Sequence, residues 1–140
     1  MKKINKKSGA GFTIIELIVV IAIIAVLAAI VLVNVTSYIA KSRDAAIKGN
    51  MSTIATNAAV YFDNVEPSTT YVGFIATSSY TVPAGAITEA GGTLGTPLES
   101  ATAWCLSTTL NDTTTWCVDS TGYKGTKGAL GCALTVLSCQ

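Results

Sequence analysis

Residues 12–33 read FTIIELIVVIAIIAVLAAIVLV, an otherwise apolar run with one ionisable side chain, Glu16. Seventeen consecutive apolar residues follow that glutamate, at positions 17–33. As a helix the whole run would be ~33 Å long at ~1.5 Å per residue. A bilayer's hydrocarbon core is ~30 Å thick, so the run is long enough to span one. A charged side chain at the centre of such a helix costs about 2.5–3.5 kcal/mol. Glu16 stands near one end and costs less, yet the cost predicts a partner. The plain alternative is a carboxylate that snorkels to the membrane surface.

The run is preceded by MKKINKKSGAG, residues 1–11, with Lys2, Lys3, Lys6 and Lys7. Lysines before an apolar segment predict a cytoplasmic N-terminus. The chain has nine basic and eight acidic residues, a net charge of +1. Without the four stub lysines the balance becomes −3. Such a balance does not predict nucleic-acid binding from charge alone. A secretory signal peptide would have a shorter apolar stretch and then a small-residue cleavage site. A plain signal anchor fits better, but it explains neither Glu16 nor Ser8-Gly9-Ala10-Gly11 before the run.

The constellation Gly11-Phe12-Thr13-Ile14-Ile15-Glu16-Leu17, after a short basic leader and before a long apolar helix, resembles the N-terminus of bacterial type IV prepilins and type II secretion pseudopilins. The likeness is close over about residues 5–40 and general beyond. It implies that a membrane prepilin peptidase cuts after Gly11 and methylates the Phe12 amine. The helix would stay in the membrane until an inner-membrane assembly platform extracts the subunit into a helical polymer of its own copies. It implies further that Glu16 pairs with a neighbour's Phe12 amine, whose ordinary pKa of ~7.7–8.0 keeps it largely cationic. Glycine suits the cut because its bare backbone enters a tight cleft. Many family members carry glycine where this chain has Ala25 and proline where it has Val33, both helix weakeners. Their absence predicts a more continuous helix here.

No strong breaker but Gly49 interrupts residues 12–64. Ile47, Met51, Ile54, Ala58 and Tyr61 step by four, three, four and three, the stripe of an amphipathic helix. Glu66-Pro67 marks the latest stop. The expected organisation is a leader (1–11), a transmembrane and filament-core helix (12–34), its amphipathic continuation (35–64) and a threonine-rich β domain (65–140). The expected fold is α+β and pilin-like, the second half of one long helix packing on a small antiparallel sheet with disulfides.

Residues 65–140 hold sixteen threonines with many glycines and serines, a composition of strands and turns. Residues 104–110 and 113–118 flank Asn111-Asp112 and predict a hairpin. Residues 71–82 offer another strand. Cys105, Cys117, Cys132 and Cys139 all follow the apolar run, and an even count in a translocated domain predicts two disulfides, with three connectivities open. The hairpin puts Cys105 and Cys117 on neighbouring strands, which favours Cys105–Cys117 and Cys132–Cys139. The resemblance points the same way, since many pilins close a C-terminal segment with a disulfide. With no CxxC pair and no histidine, a metal site is not expected. Some pseudopilins bind calcium near the C-terminus, but Asp119-Ser120-Thr121-Gly122 offers a single acid and reads as a turn. Trp104, Trp116, Tyr80 and Tyr123 read as packing aromatics. Lys124 and Lys127 beside Tyr123 are weak grounds for DNA contact. No catalytic set or cofactor motif is visible, so the chain reads as a structural protein and a substrate of its peptidase. The resemblance leaves open a pilus subunit, a secretion pseudopilin and a minor or competence pilin. Outside the family, a monomeric membrane-anchored binding module is the alternative.

Overall fold

The computed structural model describes residues 11–64, 69–127, 131–132 and 137–139. The leader lysines and the expected stop at Glu66-Pro67 lie outside them. Helix α1 spans Ile14–Asn64 without a break. That continuity agrees with the expectation from Ala25 and Val33, neither of which is a helix weakener. The chain divides into two compact units, one up to Ser37 and one from Tyr38.

The first unit is the apolar part of α1. Its side chains are exposed all round, from Ile14 at 78% to Leu32 at 71%. Among the described residues α1 is the one helix long and apolar enough to cross a membrane. Among the described residues nothing buries this surface, and an exposed apolar surface of this extent marks a membrane or protein contact.

The second unit builds a core on the rest of α1. Ile47, Met51, Ile54 and Ala58 are fully buried, as the helical stripe predicts. Tyr61 is half-buried against the same cluster. Facing them is a sheet of β1 (Thr93–Leu94), β2 (Leu98–Glu99), β3 (Trp104–Thr109), β4 (Thr115–Asp119) and β5 (Lys124–Lys127). Its order is β1-β3-β4-β5, with β2 pairing the other end of β3, all antiparallel. The expected hairpin is β3–β4, joined by residues 110–114. Leu106 opposes Val118 and Thr108 opposes Trp116. Trp104, Leu106 and Val118 join the α1 cluster. Alternation then turns Cys105, Ser107, Cys117 and Asp119 to the sheet's other face.

Residues 71–82 are not a strand. They form a 3₁₀ turn, Phe74–Ala76, and the start of helix α2, Ser78–Glu89. The physical signal is the stripe Tyr80, Pro83, Ala84 and Ile87, all buried and spaced for one helix face. Pro83 sits inside α2 and brings no N–H for the Ser79 carbonyl one turn back. Asn57 on α1 supplies the missing donor, its Nδ2 lying 2.7 Å from that carbonyl. The proline inside α2 is thus compensated by a neighbouring element.

Around this core Phe74 meets Tyr61, Tyr80 and Trp104 at centroid separations of 5.5, 5.8 and 6.1 Å. These aromatics pack together, as expected. Trp116 carries the Lys48 ammonium 4.9 Å from its ring centroid. The Tyr123 hydroxyl donates to the Thr126 carbonyl at 3.0 Å. Asp44, buried on α1, accepts from the Asn111 backbone N–H and Nδ2, both at 2.8 Å. The hairpin turn is therefore tied to the helix.

Candidate processing and assembly site

Gly11, Phe12 and Thr13 precede α1 in irregular backbone. A Cβ on Gly11 would meet nothing within 4 Å. Neither crowding nor a left-handed turn calls for glycine there. Phe12 is 87% exposed.

Thr13 and Glu16 form a reciprocal cap on the first turn of α1. The Thr13 hydroxyl accepts from the Glu16 N–H at 3.3 Å. Glu16 Oε2 accepts from the Thr13 N–H at 2.9 Å and from the Thr13 hydroxyl at 2.8 Å. This is a capping box, threonine at N-cap and glutamate three residues on. It satisfies otherwise orphaned helix donors and fixes the helix start two residues after Phe12. The carboxylate also lies at the positive end of the helix dipole. Sequence reasoning singled out Glu16 but missed Thr13. The signal was present as the spacing Thr-x-x-Glu at the head of an apolar run. Both bonds to the carboxylate use Oε2; among the described residues no hydrogen bond to Oε1 is found.

All four cysteines are oxidised, but in another pairing than the hairpin suggested. The bonds are Cys105–Cys132 and Cys117–Cys139, each with Cα atoms 5.8 Å apart. Cys105 opposes Asp119, and Cys117 opposes Ser107. Cys105 and Cys117 are therefore diagonal neighbours on one face, about 7–8 Å apart in Cα. That exceeds the usual reach of a disulfide, about 4.4–6.8 Å. Each instead takes a cysteine from the C-terminal segment lying over that face.

Two further contacts hold that segment. A Cβ on Gly131, whose φ is +49°, would come within 2.7 Å of Ser107 Oγ, so glycine is needed there for both conformation and space. Asp119 Oδ2 accepts from the Cys139 N–H at 2.8 Å and the Ser138 hydroxyl at 3.3 Å. Its Oδ1 accepts from the Thr121 N–H at 2.9 Å, the Thr121 hydroxyl at 2.6 Å and the Tyr123 N–H at 3.3 Å. Residues 119–122 form the expected turn, with the Gly122 N–H donating to the Asp119 carbonyl. Burial acts to raise the Asp119 pKa. The Thr121 hydroxyl and the N–H groups of Cys139, Thr121 and Tyr123 outweigh it and hold the carboxyl below its ordinary 3.8. The Thr114 hydroxyl and N–H likewise hold Asp112 low.

Residues 6–32 match the family model of the prokaryotic N-terminal methylation motif. This chain carries the hallmark of type IV pilin and pseudopilin precursors. The matched span takes in the basic stub from Lys6, the Thr13–Glu16 cap and nearly all of the apolar run. No curated protein and no solved structure matches the chain. A prepilin motif indicates a structural subunit rather than an enzyme. With the apolar helix it fits a membrane-anchored precursor. It also implies processing by a prepilin peptidase.

Proposed function

We propose that this chain is the precursor of a type IV pilus subunit, cut after Gly11, N-methylated on Phe12 and polymerised through its apolar helix. The observation that carries the reading is the coincidence of the methylation motif with a capped helix start. Cleavage between Gly11 and Phe12 leaves Thr13 and Glu16 intact, so the cap survives maturation. It holds the carboxylate beside the new amine, with Oε1 open to a cation. The amine of an adjoining copy, offset along the axis by roughly one turn (~5.4 Å,), is the mate for that oxygen. In a low-dielectric core the pair sets axial register more than it adds net stability, since an unpaired charge there is strongly disfavoured.

Before assembly the helix spans the cytoplasmic membrane, leader inside and disulfide-bonded domain outside, where the compartment is oxidising. Afterwards the domain coats the outside of the fibre. The two bridges and the Asp119 contacts secure the C-terminal segment in that compartment. The growing contact is heterologous and open, as a fibre requires.

The test is to shear cells and identify this chain in the released filaments by mass spectrometry. The expected N-terminus is methylated Phe12. Glu16→Val is expected to insert as well as the parent and to lose most filament yield. Normal yield from that variant refutes the pairing. Methylated Phe12 found in membranes alone assigns the chain to a pseudopilus, and an intact Met1 in normal fibres refutes processing.

A further inference from the structure

Beyond assembly, and resting on the membrane-anchored reading, we infer that Lys41 and Arg43, on opposite sides of α1, each bind an anionic phospholipid headgroup on the outer side of the membrane. The depth follows from α1. A hydrocarbon core of ~30 Å takes about twenty helical residues at ~1.5 Å each. Starting it directly after the ionisable Glu16 ends it near Thr36. Tyr38 follows at once and is 71% exposed, an aromatic suited to the membrane–water boundary. Lys41 then lies about 8 Å beyond the core edge and Arg43 about 11 Å. Headgroups occupy roughly the first 5–8 Å, within reach of both long side chains.

The charge around the pair fits an anionic partner. Lys41, Ser42 and Arg43 are exposed. Among the described residues neither cation forms an ion pair. The acid next to them, Asp44, is buried and already accepts two hydrogen bonds from Asn111. The next cation, Lys48, is half-buried and sits over Trp116, facing its own domain. Between Leu17 and Phe62 no other charged residue occurs. Among the described residues, Lys41 and Arg43 are thus two exposed cations with no acid paired to them. An anionic headgroup offers the phosphate that a guanidinium or an ammonium recognises, so the two side chains take separate lipids around the helix. The collar would hold the subunit at a fixed depth until extraction, which must break these contacts.

The test uses the purified full chain in nanodiscs of phosphatidylcholine containing a minority of phosphatidylglycerol. Native mass spectrometry reads which lipids stay attached. The comparison is between the parent and Lys41→Gln/Arg43→Gln, since the stub lysines are the same in both. The expected result is phosphatidylglycerol preference falling about fivefold per side chain removed, with added salt weakening it in the parent alone. Lys124→Gln, on β5, is expected to change nothing. Unchanged lipid preference in the double variant overturns the inference, as does an equal drop in Lys124→Gln. Unchanged preference with lost filaments reassigns the pair to the acids of a neighbouring copy and also overturns it. Failure of the parent to enter nanodiscs refutes the membrane reading instead.

Discussion

Asp119 is the side chain whose removal tests the architecture of the C-terminal segment most directly. It is 2% exposed and accepts five hydrogen bonds. An asparagine in its place would keep one oxygen and turn an NH₂ toward donors on the other side. With the oxygen on Thr121, the amide confronts the buried Cys139 N–H. An unmet buried donor costs about 1–3 kcal/mol. The remaining bonds change from charged to neutral, each weaker by about 1 kcal/mol, with solvent offsetting that loss at the exposed turn. The total for Asp119→Asn is ~2–4 kcal/mol. For a domain of about 100 residues this lowers Tm by roughly 10–25 °C. The assay is thermal unfolding of the detergent-solubilised full chain with its disulfides intact, followed by tryptophan fluorescence, since Trp104 lies in the core. The folded carboxyl titrates below its ordinary 3.8, so its contribution is complete above that pH and lost as pH falls through the lower folded value. The gap between parent and variant should therefore narrow below about pH 3.8. A Tm change under about 2 °C at neutral pH, or a gap that widens in acid, refutes the reasoning.

Three further outcomes are expected. Asn57→Ala orphans the Ser79 carbonyl and should cost ~1–2 kcal/mol, but clearly less in a Pro83→Ala background where the helix regains its own donor; equal costs in a double-mutant cycle would refute the compensation. Ile47→Ala should cost ~2–5 kcal/mol by denaturant unfolding, because the side chain is fully buried between α1 and the sheet. Peptide mapping under non-reducing conditions should recover Cys105 joined to Cys132 and Cys117 joined to Cys139, and removing either bridge should lower stability by ~2–4 kcal/mol.

The long helix and the β3–β4 hairpin were legible because their signals are local. A four-three-four stripe placed Ile47, Met51, Ile54 and Ala58 in the core, and Asn111-Asp112 between two threonine-rich runs marked a turn. Helix α2 was read in part as a strand, and it carries Pro83, whose cost is offset by a side chain twenty-two positions from Ser79 in sequence. That compensation is a tertiary fact. The disulfide pairing turned on a two-residue offset between Cys105 and Cys117, a register that spacing alone does not fix. At the N-terminal site, Glu16 stood out as a charge in an apolar run. Thr13 is an unremarkable residue type, and only its distance from Glu16 revealed it. Asp119 was visible as a turn residue, but its hold on Cys139 joins positions far apart in the chain.

The order of the bridges along the chain has a consequence for durability. Cys105 reaches past Cys117 to Cys132, and Cys117 reaches past Cys132 to Cys139, so the two loops interlock rather than nest. A protease that nicks the backbone once, anywhere from 106 to 138, leaves both fragments covalently joined. Had each cysteine paired with its sequence neighbour, a single clip between 117 and 132 would have shed the tail.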